Sequence, residues 1–175
     1  MNKTILAISG SLRDGSSNTQ LLKLFGTWMP PHIDYSFYDG IASLPHFIPM
    51  AEDEALPETV QELHEQLNTS DAIIICTPEY AFGVPGSLKN LLDWTVATGN
   101  LVDKQVAVVT ASSSGSYAHP SLLTTLGALS AKIVDGGTLL VPFIRAKMDA
   151  AGNITDEATE KDLRFVIANL LSAIA

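Results

Sequence analysis

The stretch "AIIICTPEYAFGVPGSLKNLLDW", Ala72 to Trp94, carries in one piece the pattern from which the fold is read. Its first residues, Ala72 to Cys76, are apolar without a break and rich in isoleucine, which suits a strand covered on both faces. A stiff segment follows. Pro78 restricts the residue before it, Gly83 and Pro85-Gly86 set a sharp path, and Ser87 is placed to cap a helix. Leu88, Leu91 and Leu92 then recur at helical spacing. The unit is strand, tight loop, helix.

The same unit repeats in both directions. "TILAI" (4–8), "IDYSFY" (33–38), "VAVVTA" (106–111) and, more weakly, "GTLLV" (137–141) read as further strands. Leu21, Leu22, Phe25 and Trp28 form one helical face, and Val60, Leu63 and Leu67 form another with Pro57 in its first turn. A segment around 120–131 reads as a further helix. In the last helix Thr155 is the expected cap, Asp156 and Glu157 suit the positive end, and Leu163, Val166, Ile167, Leu170, Leu171 and Ile174 form the buried stripe. Strand and helix in alternation predict a three-layer α/β sandwich built on a parallel sheet. With 175 residues, 46% of them hydrophobic, the chain is expected to form a single domain over 1–175 with a sizeable core.

A formal net charge of −9 disfavours nucleic acid or an anionic membrane surface as the main partner, so an anionic ligand must be held by local donors. Cys76, the only cysteine, excludes a disulfide framework and reads as a small buried hydrophobe. The apolar start of the chain is cut short by Ser9 and Gly10, and no apolar run is long enough to span a bilayer. A cytoplasmic protein without membrane insertion is expected.

Ligands of open parallel sheets sit beyond the carboxyl ends of the strands. After the first strand comes "SGSLRDGSSN" (9–18), with glycines for a tight turn, hydroxyl and backbone donors, a helix start, and Arg13 as a permanent cation. Taken alone, this loop is either an anion cradle or an ordinary capped turn. It lacks the Gly-Lys-Ser/Thr of a triphosphate-binding loop, and Gly10 and Gly15 have the wrong spacing for a dinucleotide fingerprint. The loop at Pro78, Glu79, Tyr80, Ala81 and Phe82 offers aromatic surface and fixed N–H donors to a flat heteroaromatic ring. "SSSGSYAHPS" (112–121) gains interest from its position beside the other two. No G-x-S-x-G elbow supports a hydrolase, and His32, His46, His64 and His119 lack metal-ligand spacing. "AEDE" (51–54) reads as a solvated loop.

The motifs "GSLRDGSSN" and "TPEYAFGVPGSLKNLLDW", with a weaker echo in "YDGIASLPHF" (38–47), resemble the NADPH-dependent FMN reductase family. The resemblance implies a flavodoxin-like fold with strand order 2-1-3-4-5, bound FMN, and NADPH or NADH as electron donor. It implies that Ser11, Arg13, Ser16 and Asn18 hold the phosphate, with Ser17 and Thr19 offering nearby donors. Pro78, Glu79, Tyr80, Ala81 and Phe82 would line the isoalloxazine, and Ser112 and Gly115 would approach its other edge. Ala81 stands where many members have asparagine, so a contact there must come from the backbone. The third loop also lacks a glycine pair and an arginine that many members carry. The implied chemistry belongs to the flavin, with no catalytic side chain and with quinones, azo compounds, free flavin or oxidised metal ions as acceptors. A homodimer or homotetramer is expected, with Trp94 and its helix either at a subunit boundary or packed inside the chain. A flavodoxin-like electron carrier and a flavin-free binding domain of the same fold are the alternatives.

Overall fold

The computed structural model describes residues 2–50 and 54–175. Most of "AEDE" therefore lies outside the described residues, and Glu54 is exposed. Five strands, β1 (Lys3–Ser9), β2 (Ile33–Tyr38), β3 (Ala72–Thr77), β4 (Gln105–Ser112) and β5 (Lys132–Pro142), alternate with five helices. The helices are α1 (Ser17–Thr27), α2 (Glu58–Thr69), α3 (Gly86–Asp93), α4 (Ala118–Ala128) and α5 (Glu157–Ala173). All neighbouring strands pair in parallel in the order β2-β1-β3-β4-β5. This is the flavodoxin-like arrangement, and its connections change direction between β1 and β3.

The apolar runs are continuous because each strand has two faces to bury. Ile5, Ala7, Ala72, Ile74, Cys76, Ala107 and Val109 join Leu21 and Phe25 of α1 and Leu163 and Val166 of α5 in one core. Leu6, Ile8, Ile73, Ile75, Val106 and Val108 point the other way, into Val60 and Leu63 of α2, Leu88 and Leu91 of α3, and Leu122 of α4. Each strand thus feeds two cores with a period of two, and both layers of helices are required.

Three helix starts differ from expectation. α5 is capped by Asp156, which has extended backbone immediately before the first helical residue and whose carboxylate accepts from the Thr159 N–H at 2.9 Å. Ser87 lies inside the first turn of α3, behind Pro85, and caps nothing. Pro57 precedes the first residue of α2. β5 is longer than "GTLLV" because its first half is broken: Val106 pairs with Ile133 but Val108 pairs with Thr138, and Gly136 (φ 68°) takes up the slack.

Trp94 packs inside the chain. It is 5% exposed, its Nε1 donates to the Pro45 carbonyl at 2.9 Å, and Phe47 meets its ring edge-on at 5.2 Å. Among the described residues no helix is long and apolar enough to cross a membrane.

Candidate functional site

The end of β1 runs hard against the end of β3. Gly10 N–H donates to the Cys76 carbonyl at 2.8 Å, and a Cβ on Gly10 would lie 2.8 Å from Thr77 Cβ, so no side chain fits there. The chain then turns through Gly15 (φ 62°) into α1. Ser16 caps that helix: its hydroxyl accepts from the Thr19 N–H at 3.2 Å and lies 3.0 Å from Thr19 Oγ1. Thr19 Oγ1 is in turn 3.0 Å from Ser9 Oγ, which makes a chain of hydroxyls beneath the helix start.

Asn18 is a structural tie. Its amide donates to the Ala111 carbonyl of β4 at 3.1 Å and accepts from the Cys76 thiol of β3 at 3.2 Å, which seats the first turn of α1 over both strand ends. Burial pushes the Cys76 thiol well above the ordinary range, so it stays protonated and serves as the donor in that tie. The donors left for a ligand are Ser11, Ser17, the second N–H of the Asn18 amide, backbone amides and Arg13. The guanidinium of Arg13 is exposed and has no hydrogen-bond or ion-pair partner among the described residues. The first turn of α1 contains no acidic residue to compete with an anion.

The loop after β3 is strained. Tyr80 and Gly83 exchange backbone hydrogen bonds at 2.9 and 3.0 Å, which forces the two residues between them into the left-handed region: Ala81 at φ 49° and Phe82 at φ 61°. That turn prefers Asn-Gly, and an alanine and a phenylalanine there store about 1 kcal/mol each. Phe82, 74% exposed, meets Tyr117 at 4.8 Å between ring centres.

Glu79 joins this loop to the next. Its Oε2 accepts from the backbone N–H groups of Tyr117 and Ala118 at 2.8 Å each, and its own N–H donates to Ser112 Oγ at 3.2 Å. Burial alone would raise the Glu79 pKa. The backbone donors of Ala118, Tyr117 and Gly115 outweigh it and hold the carboxyl below its ordinary 4.5. Glu79 is thus the anion at the start of α4. His119 is not paired with the serines of this loop; its Nδ1 lies 2.8 Å from Thr110 Oγ1. Among the described residues no group of His, Cys, Asp or Glu is gathered as a metal site would need.

These loops border a cleft of about 490 Å³. It brings together Ser11, Arg13, Ser16, Ser17 and Asn18 from the first loop, Pro78, Glu79 and Tyr80 from the second, and Ser112 from the third. Thr19 lies below it, Ala81 and Phe82 stand at the turn tip beyond it, and Gly115 is packed against Leu140. Sequence reasoning missed Ala111, Ser113 and the segment Phe143 to Ala146 after β5, which forms the remaining wall. The only sequence signal for that segment is its place after the fifth strand, with no motif around Arg145 to mark it.

A model of the family described as "NADPH-dependent FMN reductase" matches residues 4–146. The chain belongs to that family. A quinone reductase of Escherichia coli K12 is 30% identical over 162 residues, covering 89% of this chain and 86% of that protein. A 2-hydroxy-1,4-benzoquinone reductase of a Burkholderia species is 30% identical over 170 residues, covering 91% and 90%. Among solved structures, FerB of Paracoccus denitrificans, a flavoenzyme NAD(P)H:acceptor oxidoreductase, aligns with a TM-score of 0.77 and 27% identity over 98% of this chain and 97% of that one. The FMN reductase family is one of oxidoreductases, and membership implies a flavin and NAD(P)H.

The residues present suit such a cofactor. The cleft volume is in the range that encloses a ligand of this size. One end has an unpaired guanidinium, hydroxyls and a helix start free of acids, as a phosphate requires. The other end has Pro78 and Tyr80 on a loop fixed by Glu79 and Ser112, as a flat ring requires.

Proposed function

We propose that the cleft binds FMN, with the phosphate at the start of α1 and the ring against Pro78 to Tyr80, and that the protein uses NADPH or NADH to reduce quinone-type acceptors. The observation carrying this reading is Arg13: in an acidic chain it has no partner among the described residues and borders, with Ser11 and Ser17, the same cleft as a stiffened aromatic loop. When bound, the flavin supplies the redox chemistry, taking hydride from the nicotinamide and passing electrons to the acceptor.

The protein's part is positioning. Arg13, Ser11, Ser17 and the first backbone N–H groups of α1 offset the phosphate charge, while Ser16, Asn18 and Thr19 fix that turn in place. The clamp from Glu79 to α4 and to Ser112 keeps the backbone of Pro78, Glu79 and Tyr80 still, so its amides act without reorganisation. Ala81 contributes backbone only, and Phe82 closes the rim with Tyr117. Gly115 lets its loop pack tightly on Leu140 and so keeps Ser112 in the cleft wall, where it would approach a bound ring. No side chain is assigned as acid, base or nucleophile.

Quinones lead the acceptor classes because relatives carry that name and because Tyr80, Phe82, Tyr117 and Phe143 are exposed around the cleft. Azo compounds, free flavin and oxidised metal ions complete the class. The working unit is read as one domain over 1–175, cytoplasmic, in a homodimer or homotetramer whose size light scattering measures. The test of function is direct. Purified protein is expected to be yellow, or to take up FMN, and to oxidise NADPH when benzoquinone is added. A colourless protein that takes up no FMN refutes the reading, and a yellow one reduced only through a partner protein favours an electron carrier.

A further inference from the structure

The arginines of this acidic chain are Arg13, Arg145 and Arg164. Arg164 is paired with Glu160 at 2.7 Å and covers the Trp28 ring at 4.1 Å. Arg13 and Arg145 are exposed, have no hydrogen-bond or ion-pair partner among the described residues, and line the same cleft. Two bare guanidiniums on the wall of one cleft raise its positive potential, and an anion bound in the cleft would offset both. The carboxylate of Glu79, also in the cleft, is already engaged by the α4 amides.

The two arginines approach one place from opposite sides. Arg13 stands on the loop between β1 and α1. Asn18 ties the first turn of α1 to Cys76 of β3 and Ala111 of β4, so that turn lies over the middle of the sheet edge. Arg145 belongs to the short 3-10 turn Ile144–Lys147 that follows β5 and packs against β4. The turn carrying Arg145 thus reaches the cleft from the β5 end of the sheet edge, and the loop carrying Arg13 reaches it from the β1 side.

The segment that carries Arg145 is fastened. Phe143 enters it in the left-handed region at φ 55°, and Ala146 N–H closes the turn on the Phe143 carbonyl at 2.9 Å. Asp149 Oδ1 accepts from the N–H groups of Ala151 and Asn153 at 2.9 and 2.8 Å, and Thr155 N–H donates to the Lys147 carbonyl at 2.9 Å. The segment then lies on α1 itself at Gly152, where a Cβ would come within 3.3 Å of Gln20 Cβ. A strained entry held by surrounding bonds is the form that aimed functional residues take.

We propose that Arg145 is a second phosphate anchor, and that a phosphate monoester is bracketed between Arg145 and Arg13 above the first turn of α1. The proposal rests on the FMN reading of the cleft. A phosphate monoester carries a charge of about −1.5 to −2 at neutral pH, which one guanidinium leaves partly uncompensated and two match. The consequence is selectivity for the phosphorylated flavin over the same ring and ribityl chain without phosphate. The 2′-phosphate of NADPH has the same chemistry; the cleft wall that Arg145 shares with Ser16, Ser17 and Asn18 at the start of α1 favours FMN.

Apoprotein of the wild type, Arg145→Ala and Arg145→Lys is titrated with FMN and with riboflavin, following flavin fluorescence, and each holoprotein is then assayed with NADPH and NADH. Expected is a loss of about tenfold or more in FMN affinity for Arg145→Ala, with riboflavin affinity unchanged and Arg145→Lys in between. Equal loss for both flavins, unchanged FMN affinity, or a lost preference for NADPH with FMN affinity intact each overturns the assignment. Wild-type FMN binding that Arg145→Ala leaves untouched refutes Arg145 alone. Wild type that binds neither flavin refutes the FMN reading beneath it.

Discussion

Removing the Glu79 carboxylate should loosen the start of α4 and, with it, the loop that faces the cleft. In Glu79→Ala the N–H groups of Tyr117 and Ala118 lose an acceptor at 2.8 Å each. Tyr117 is exposed, so water replaces part of what is lost, and the full value of two charged hydrogen bonds would be an overestimate. A helix cap is worth about 0.5 to 2 kcal/mol, and an anion at the helix start adds about 0.3 to 1. The expected loss is about 1 to 3 kcal/mol, or a fall in Tm of roughly 2 to 10 °C for a chain of this size. Glu79→Gln keeps one acceptor oxygen and loses the charge, so it should lie between the two. The sign of the pH dependence follows from the depressed pKa. Stability from this carboxylate is fully present above the ordinary 4.5 of the unfolded chain and is lost as pH falls through the lower folded value. The gap between wild type and Glu79→Gln in thermal melts should therefore be constant from pH 7 to pH 5 and close in stronger acid. A gap that persists undiminished in strong acid, or an unchanged Tm for Glu79→Ala at pH 7, refutes the clamp.

Three other substitutions probe separate links. Ala81→Asn puts a residue that tolerates the left-handed region at φ 49° and should raise stability by about 0.5 to 1 kcal/mol; a lower Tm would show that the turn is not strained. Gly10→Ala forces a Cβ against Thr77 and should cost about 1 to 3 kcal/mol by chemical denaturation, whereas a neutral result would mean the ends of β1 and β3 are not in contact. Arg13→Ala should weaken FMN binding by about 1.5 to 3 kcal/mol with little change in Tm, and unchanged affinity would return the first loop to an ordinary capped turn.

The fold was legible because its evidence is local. Unbroken apolar strands such as Ala72 to Cys76 can only be buried on both sides, and each is followed by a helix with one apolar face. What local reading could not resolve was competition between neighbouring residues of similar chemistry. Thr155 and Asp156 are both good caps, and it is Asp156 whose carboxylate meets the Thr159 N–H. In the cleft, residue type suggested ligands, and the structure finds ties as well. Asn18 has the chemistry to bind a phosphate, and the structure adds that its oxygen and one of its N–H groups are engaged by Cys76 and Ala111, partners distant in the chain. Glu79 borders the cleft, and what its residue type could not reveal is that one carboxylate oxygen also serves the start of α4. Arg145 escaped notice for the converse reason. No motif surrounds it, and only the path of β5 and the tie from Gly152 to α1 bring it to the cleft.

A cleft that holds FMN for reduction by NAD(P)H has a spectroscopic signature in anaerobic stopped-flow of the FMN-reconstituted protein. The prediction is one FMN per chain, its absorbance bleached by NADPH or NADH without any partner protein and restored by benzoquinone. Absence of FMN uptake, or bound FMN that neither nicotinamide reduces, would contradict it.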